Sequence, residues 1–211
     1  MEIGGPAAML GPALVYLDWA GVAVFALSGA LVAAEKRQTF ITFVFFAVIT
    51  GVGGGTARDL LIGAPVFWIR HNATLLICTA AAATVWLLPA RSWRGHLLLW
   101  LDAAGLAAYA TYGAAKGLAF GVAPLPAVGM GVLTACLGGI VRDVLASEPS
   151  ILLRPELYVT AAALSSALMV ALLLFGMAPL AAGLVSTAAG FALRAAAIAR
   201  GWSLPAYASG R

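Results

Sequence analysis

Charge is scarce in this chain: Asp, Glu, Lys and Arg together make up 9% of its 211 residues. A soluble domain carries about 25%. A surface of this size could not be wetted with so few polar groups, so a water-soluble fold is excluded. Histidine and cysteine are nearly absent, with 2 of each. Cys78 and Cys136 both fall inside apolar runs, where a thiol behaves as a small hydrophobe, and their spacing suits neither a disulfide framework nor a metal site. His71 and His96 fall in loops at helix ends and read as solvated. There is no nucleophile elbow, and the stretch Gly53-Gly54-Gly55-Thr56 lacks the lysine of a phosphate loop. Nor is there a TVGYG potassium filter or an arginine-rich voltage sensor. No enzyme, cofactor or metal is expected. The net charge of +4 is too small and scattered for a nucleic-acid partner. Residues 1–12 lack a basic n-region and a small-residue cleavage site, so no cleavable signal is expected.

What is abundant is hydrocarbon: 63% of residues are hydrophobic and the mean hydropathy is +1.02. The partner this implies is the lipid bilayer. A membrane helix needs about 20 apolar residues, and seven such spans are predicted. They cover 14–34, 40–62, 73–88, 97–115, a fifth from Pro124 and Pro126 to Ala146, a sixth from Pro155 to Phe175, and 179–199.

The same pattern occurs twice, 84 positions apart. Gly54-Gly55-Thr56-Ala57-Arg58-Asp59 reappears as Gly138-Gly139-Ile140-Val141-Arg142-Asp143, and the shift holds without a gap from Asp18/Asp102 to Arg70/Arg154. The units are residues 14–88, 97–176 and an unmatched seventh helix, 179–199. Three spans per copy make the second copy enter the membrane from the other side, so the repeats are inverted. The predicted fold is an all-α integral membrane protein: two inverted three-helix repeats plus a seventh helix. Lys36, Arg37, Arg91, Arg94, Arg154, Arg200 and Arg211 lie on one side, against mainly Arg70 and Lys116 on the other. The positive-inside rule then puts the N-terminus outside and the C-terminus in the cytoplasm.

The second span holds Gly51, Gly53, Gly54 and Gly55, and the fifth holds Gly129, Gly131, Gly138 and Gly139. Two readings stand: close helix packing through small residues, or a kink or break lining a cavity. The Arg58-Asp59 and Arg142-Asp143 pairs are sharper signals. A charge at the bilayer centre costs about 2.5–3.5 kcal/mol, so these groups must pair, meet water or reach a span end. Adjacent helical residues point about 100° apart, which favours cross-repeat pairs, Arg58 with Asp143 and Arg142 with Asp59. Snorkelling of the arginines is the alternative. Asp18 and Asp102 read as helix caps or as the mouth of a pathway. Ser28, Thr50, Thr134, Tyr109, Thr111 and Tyr112 are hydroxyls within spans, able to bond neighbouring helices or to replace water around an ion. Lys116, with Val32 at the equivalent position, reads as a snorkelling lysine. Trp68, Trp86, Trp93 and Trp100 read as interface anchors.

With its glycine clusters and doubled Gly-Gly-x-x-Arg-Asp signature, each followed by Pro and a basic residue (Pro65 and Arg70, Pro149 and Arg154), the chain resembles the prokaryotic branch of the trimeric intracellular cation channel (TRIC) family. That branch is also labelled as a glycine-transporter domain. The resemblance implies a homotrimer in the plasma membrane with one path per protomer, between the repeats and beside the second and fifth helices, conducting chiefly potassium. The Lys-Glu-Val lipid motif of animal members has no match here. Secondary transport of a small zwitterion such as glycine and a non-transporting scaffold are the competing readings.

Overall fold

In the computed structural model, residues 11–69, 72–88 and 97–205 are described. Arg70, His71, Arg91, Trp93, Arg94, His96 and Arg211, each given a role by sequence, lie outside the described residues. Seven α-helices follow one another: α1 (Gly11–Glu35), α2 (Phe40–Leu61), α3 (Asn72–Leu87), α4 (Leu97–Ala119), α5 (Pro124–Leu145), α6 (Val159–Leu174) and α7 (Pro179–Arg200). A 3-10 turn, Ile151–Leu153, lies between α5 and α6. The described residues contain no strand, only an isolated bridge between Glu156 and Ser203.

The helices begin and end where local chemistry dictates. Proline opens α5 and α7, a position where the missing amide is no loss. The termini of α1 and α4 are closed by a left-handed residue at Arg37 and Gly121, and those of α2 and α5 at Gly63 and Ser147. In each case a later amide reaches back to a carbonyl of the last turn, Gln38 to Ala33, Val122 to Gly117, Ala64 to Asp59 and Glu148 to Asp143. All four are the 84-residue repeat expressed as backbone geometry.

Two boundaries differ from expectation. α4 continues to Ala119, so Lys116 sits inside the helix rather than at its end. α6 starts at Val159, not at Pro155; the carbonyl of Pro155 instead accepts from the Leu204 amide at 2.7 Å. α3 and α6 have 16 residues each, about 24 Å of helix. That is short of a 30 Å hydrocarbon core, and local thinning or interfacial anchoring must make up the difference.

α1 and α4 cross at the centre, and α2 crosses α5 beside them. Both crossings are reciprocal. The equivalent rings of Phe25 and Tyr109 meet with centroids 5.2 Å apart. Gly105 makes room for the first ring and Gly21 for the second. In the other crossing, a Cβ at Gly54 would overlap the Thr134 carbonyl, and one at Gly138 would overlap the equivalent Thr50 carbonyl. A pseudo-two-fold axis therefore passes through the seam, as inverted repeats require. α2 and α5 run through their glycines as uninterrupted helices. The glycine clusters do not break the helices; they let two backbones touch.

α7 has no repeat partner and packs on α6 and α4. Gly190 faces Ser165 so closely that a Cβ would overlap its hydroxyl.

Replacing Gly138 by Ala should lower stability by about 1–3 kcal/mol, since backbone blocks the added methyl. Gly129, with nothing within 4 Å of its Cβ position, should accept Ala with no loss or a gain of up to about 1 kcal/mol. Thermal unfolding in detergent distinguishes the two; equal loss at both sites would contradict the crossing.

Candidate functional site

The two Arg-Asp pairs lie at opposite ends of the α2/α5 seam, each just before the end of its helix. In the first, Arg58 and Asp59 are fully buried. Arg58 Nε donates to Asp59 Oδ1 at 2.8 Å. Nη2 is as close to that oxygen but too far off axis to donate. Lys116 Nζ, arriving from α4, donates to the same oxygen at 2.8 Å. The other oxygen accepts from the Phe67 amide at 3.1 Å. The Arg58 guanidinium lies 5.1 Å from the Tyr112 ring centroid and 6.0 Å from that of Phe67, and Phe67 and Phe120 flank Lys116. Aromatic faces carry negative potential, so they wall in these cations without opposing them. Asp18 is 4% exposed, and its Oδ1 has no protein partner. The end is sealed.

The second pair repeats the carboxylate geometry. Arg142 donates to Asp143 Oδ1 from Nε at 2.9 Å and from Nη2 at 2.8 Å. Asp143 Oδ2 accepts from the Ile151 amide at 3.1 Å, and Ile151 is the equivalent of Phe67. Arg142 Nη1 donates to Asp102 Oδ1 at 3.0 Å and to the Ser28 hydroxyl. Asp102 Oδ2 has no protein partner. This end is open: a cavity of about 350 Å³ reaches the pair, lined by Val32, Leu98, Asp102, Arg142, Asp143 and Ile151, with Glu35, Glu148 and Arg154 at its rim.

The difference between the ends is written in the sequence. The 84-residue shift carries Ser28 onto Tyr112, Val32 onto Lys116 and Ile151 onto Phe67. One end has the large aromatic or cationic residue at each position and closes; the other has the small or aliphatic one and stays open. At the rim, Lys36 pairs with Glu148. The ammonium hydrogen bond holds the Glu148 carboxyl below its ordinary range. The pair is therefore fully formed near neutrality and is lost only as pH falls through that lowered value.

Several expectations change. The cross-repeat pairs Arg58–Asp143 and Arg142–Asp59 do not form. The 100° separation describes where side chains leave the helix, whereas an arginine arm is long enough to fold back on its own neighbour. At these two sites the polar contacts that cross the repeats include Lys116–Asp59 and Arg142–Ser28. Lys116 does not snorkel: at 6% exposure it is turned into the protein. Asp18 and Asp102 lie inside α1 and α4 and are not caps. Tyr109 is at no mouth; it is buried in the central crossing and donates to the Gly51 carbonyl at 2.6 Å. Thr134 donates to the Met130 carbonyl at 2.6 Å, while the Thr50 hydroxyl has no protein partner. Gly55 faces Phe67, Gly53 approaches Gly138, and Gly139 leaves a gap facing the Tyr158 hydroxyl, Asp102 and Arg142. Trp68 donates to Thr56 at 2.9 Å, and Trp86 and Trp100 are part-exposed on the helix surfaces. Cys78 and Cys136 are free and buried. Arg194, buried on α7 and paired with Glu156 at 2.5 Å, was missed. Its signal was the one that exposed Arg58, an arginine within an apolar span.

Two inverted repeats of apolar helices enclosing compensated charges define a multi-pass membrane protein of the channel or transporter type, not an enzyme. A family model described as "Glycine transporter" matches residues 15–90 and again 99–174. A membrane protein of Vibrio cholerae, UPF0126, is 38% identical over 205 residues, covering 94% of this chain and 85% of the relative. The inner membrane protein YadS of Escherichia coli K12 is 42% identical over 152 residues, covering 70% and 73%. The solved TRIC trimeric intracellular cation channel orthologue from Rhodobacter sphaeroides superposes with a TM-score of 0.83 at 42% identity, covering 90% of this chain and 98% of that one. The chain belongs to the TRIC family, which takes in these bacterial membrane proteins.

A double-mutant cycle on Lys116→Met and Asp59→Asn should give a coupling of about 1–3 kcal/mol in unfolding experiments, while Arg58→Met and Asp143→Asn should add within about 0.5 kcal/mol. The reverse ranking would restore the cross-repeat pairs.

Proposed function

We propose that the protein is a monovalent cation channel, carrying chiefly potassium, with one path inside each protomer along the seam between the repeats. The observation that carries this reading is the charge of the open end. Four carboxylates, Glu35, Asp102, Asp143 and Glu148, line the vestibule against Arg142 and Arg154, with Lys36 paired to Glu148 at the rim, which leaves the carboxylates in excess by one. A cleft with low-dielectric walls focuses that excess and concentrates cations. Each arginine is neutralised by the aspartate beside it, so fixed positive charge does not bar the path. Asp102 lines the inner end of the vestibule, and its Oδ2, buried without a protein partner, is an unshared ligand beyond it. Thr50, with its unpartnered hydroxyl, and the carbonyls about Gly54 and Gly138 continue the line. Potassium sheds water at less cost than sodium, which suits a path with few charged oxygens.

The sealed end is the gate. Arg58, Lys116, Asp18 and Asp59 balance one another there, and Phe67 and Tyr112 fill the space through which an ion would leave. The pore and gate residues are thus Thr50, Gly53, Gly54, Gly55, Arg58, Asp59, Thr134, Gly138, Gly139, Arg142 and Asp143, joined by Asp102 and Phe67. No cofactor takes part; the cation is cargo.

The vestibule shares its face with Lys36, Arg37, Arg154 and Arg200, which supports a cytoplasmic opening, an external N-terminus and a cytoplasmic C-terminus. Lys116, which sequence weighed against this bias, is bound to Asp59. An inner-membrane location and a trimer follow the likeness to the Escherichia coli and Rhodobacter sphaeroides proteins.

Purified protein in a planar bilayer should show discrete unitary currents that reverse near the potassium equilibrium potential. Asp102→Asn should lower unitary conductance, and Phe67→Ala should raise open probability by about tenfold, the effect of removing some 1–2 kcal/mol from the closed state. Saturable, ion-coupled glycine uptake without unitary currents would instead establish a transporter.

A further inference from the structure

α7 has no counterpart in the repeat and no place in the path, yet it buries an arginine. Arg194 is 1% exposed. Its Nη2 donates to Glu156 Oε2 at 2.5 Å, and its guanidinium lies 5.5 Å from the Tyr158 ring centroid. Its Nε has no protein partner. An apolar side chain of similar volume would be at least as stable in such a place, so bundle stability does not account for the arginine. What the arginine touches does.

Glu156 and Tyr158 belong to the segment 147–158 between α5 and α6, which is the wall of the vestibule. Glu148, Pro149, Ile151 and Arg154 of this segment line the cavity, and its Ile151 amide holds Asp143. Tyr158 is 1% exposed, and its hydroxyl faces the space at Gly139 shared with Asp102 and Arg142. The chain following α7 also holds the same wall, through the bridge between Ser203 and Glu156, in which the Leu204 amide donates to the Pro155 carbonyl. The left-handed Gly201 turns the chain back to make these contacts. In the first repeat, the equivalent wall runs through Phe67, which has folded inward over Gly55, Arg58 and Lys116.

We propose that α7 and residues 201–204 form a clamp that holds the vestibule wall in its open position, with Arg194 and Glu156 as positioning residues. The repeats supply two equivalent ends, and the unmatched helix pins the wall of one of them. The inference leans on the channel reading only in calling the cavity an entrance to a pore.

The test is access to the vestibule in the full-length protein in lipid vesicles. With Cys78→Ala and Cys136→Ala as background, Leu98→Cys reports the vestibule and Ala123→Cys, exposed at the start of α5 on the opposite face, serves as control. Labelling uses a charged, water-soluble methanethiosulfonate. Arg194→Met and Glu156→Gln should each slow modification of Leu98→Cys by about tenfold and leave Ala123→Cys unchanged. Arg194→Lys should recover part of the rate, since an ammonium can still reach Glu156. Should Arg194→Met fail to fold, Glu156→Gln, which alters a part-exposed side chain, decides. Rates within roughly twofold of the parent, or faster, in the folded variants would overturn the clamp. Slowed labelling in a protein that passes no current would uphold the clamp and overturn the channel.

Discussion

Everything in this fold depends on how an aspartate is partnered within hydrocarbon. At Asp59 and Asp143 the solution is the same. The neighbouring arginine folds back onto one carboxylate oxygen, and the amide eight residues on, at Phe67 or Ile151, takes the other. The amide belongs to the chain after the helix, so the ion pair also sets where that chain must turn. The left-handed residues Gly63 and Ser147 make the turn. Without a paired guanidinium, each carboxylate would be an uncompensated buried charge, at a cost of several kcal/mol. The tight α2/α5 crossing brings both sites into one seam, and it can be tight only because Gly54 and Gly138 present no side chain to the facing carbonyls.

Function comes from departures from symmetry. At both ends an arginine holds one carboxylate oxygen and the amide eight residues on holds the other, but the residues around them differ. Tyr112, Lys116 and Phe67 crowd one site; Ser28, Val32 and Ile151 leave the other open. The difference lies in the side chains themselves, so the two ends are not equivalent. One end is an open cavity lined by more carboxylates than cations; the other is closed, with its acidic and basic groups in balance.

Much of this was legible in the sequence. Composition and the 84-residue repeat lead to seven helices in inverted repeats without knowledge of any contact, because bilayer thickness sets the length of a span and an odd number of spans per copy sets the inversion. The glycines stand out for their cost in a helix and the Arg-Asp dipeptides for theirs in lipid, and both lie in the α2/α5 seam. Partner choice was not legible. Arg58 and Asp59 diverge at Cβ and converge at their tips, which is a matter of rotamer. Lys116 reads as a helix-end lysine until α4 is seen to continue to Ala119. Asp18 and Asp102 resemble caps because each lies near the start of its span, whereas both sit more than a turn inside α1 and α4. The open and closed ends could have been anticipated by applying the repeat to Ser28, Val32 and Phe67 as well as to the signature. Arg194 fell outside the repeat, and so outside the pattern that drew attention to the other charges.

The central claim is that the vestibule selects cations because its carboxylates outnumber its guanidinium groups. Crystals of the protein soaked in rubidium bromide test it directly, since both ions give anomalous scattering at separate absorption edges. The account predicts rubidium in the vestibule beside the free oxygen of Asp102. Bromide against Arg142, with no rubidium in the cavity, would contradict it.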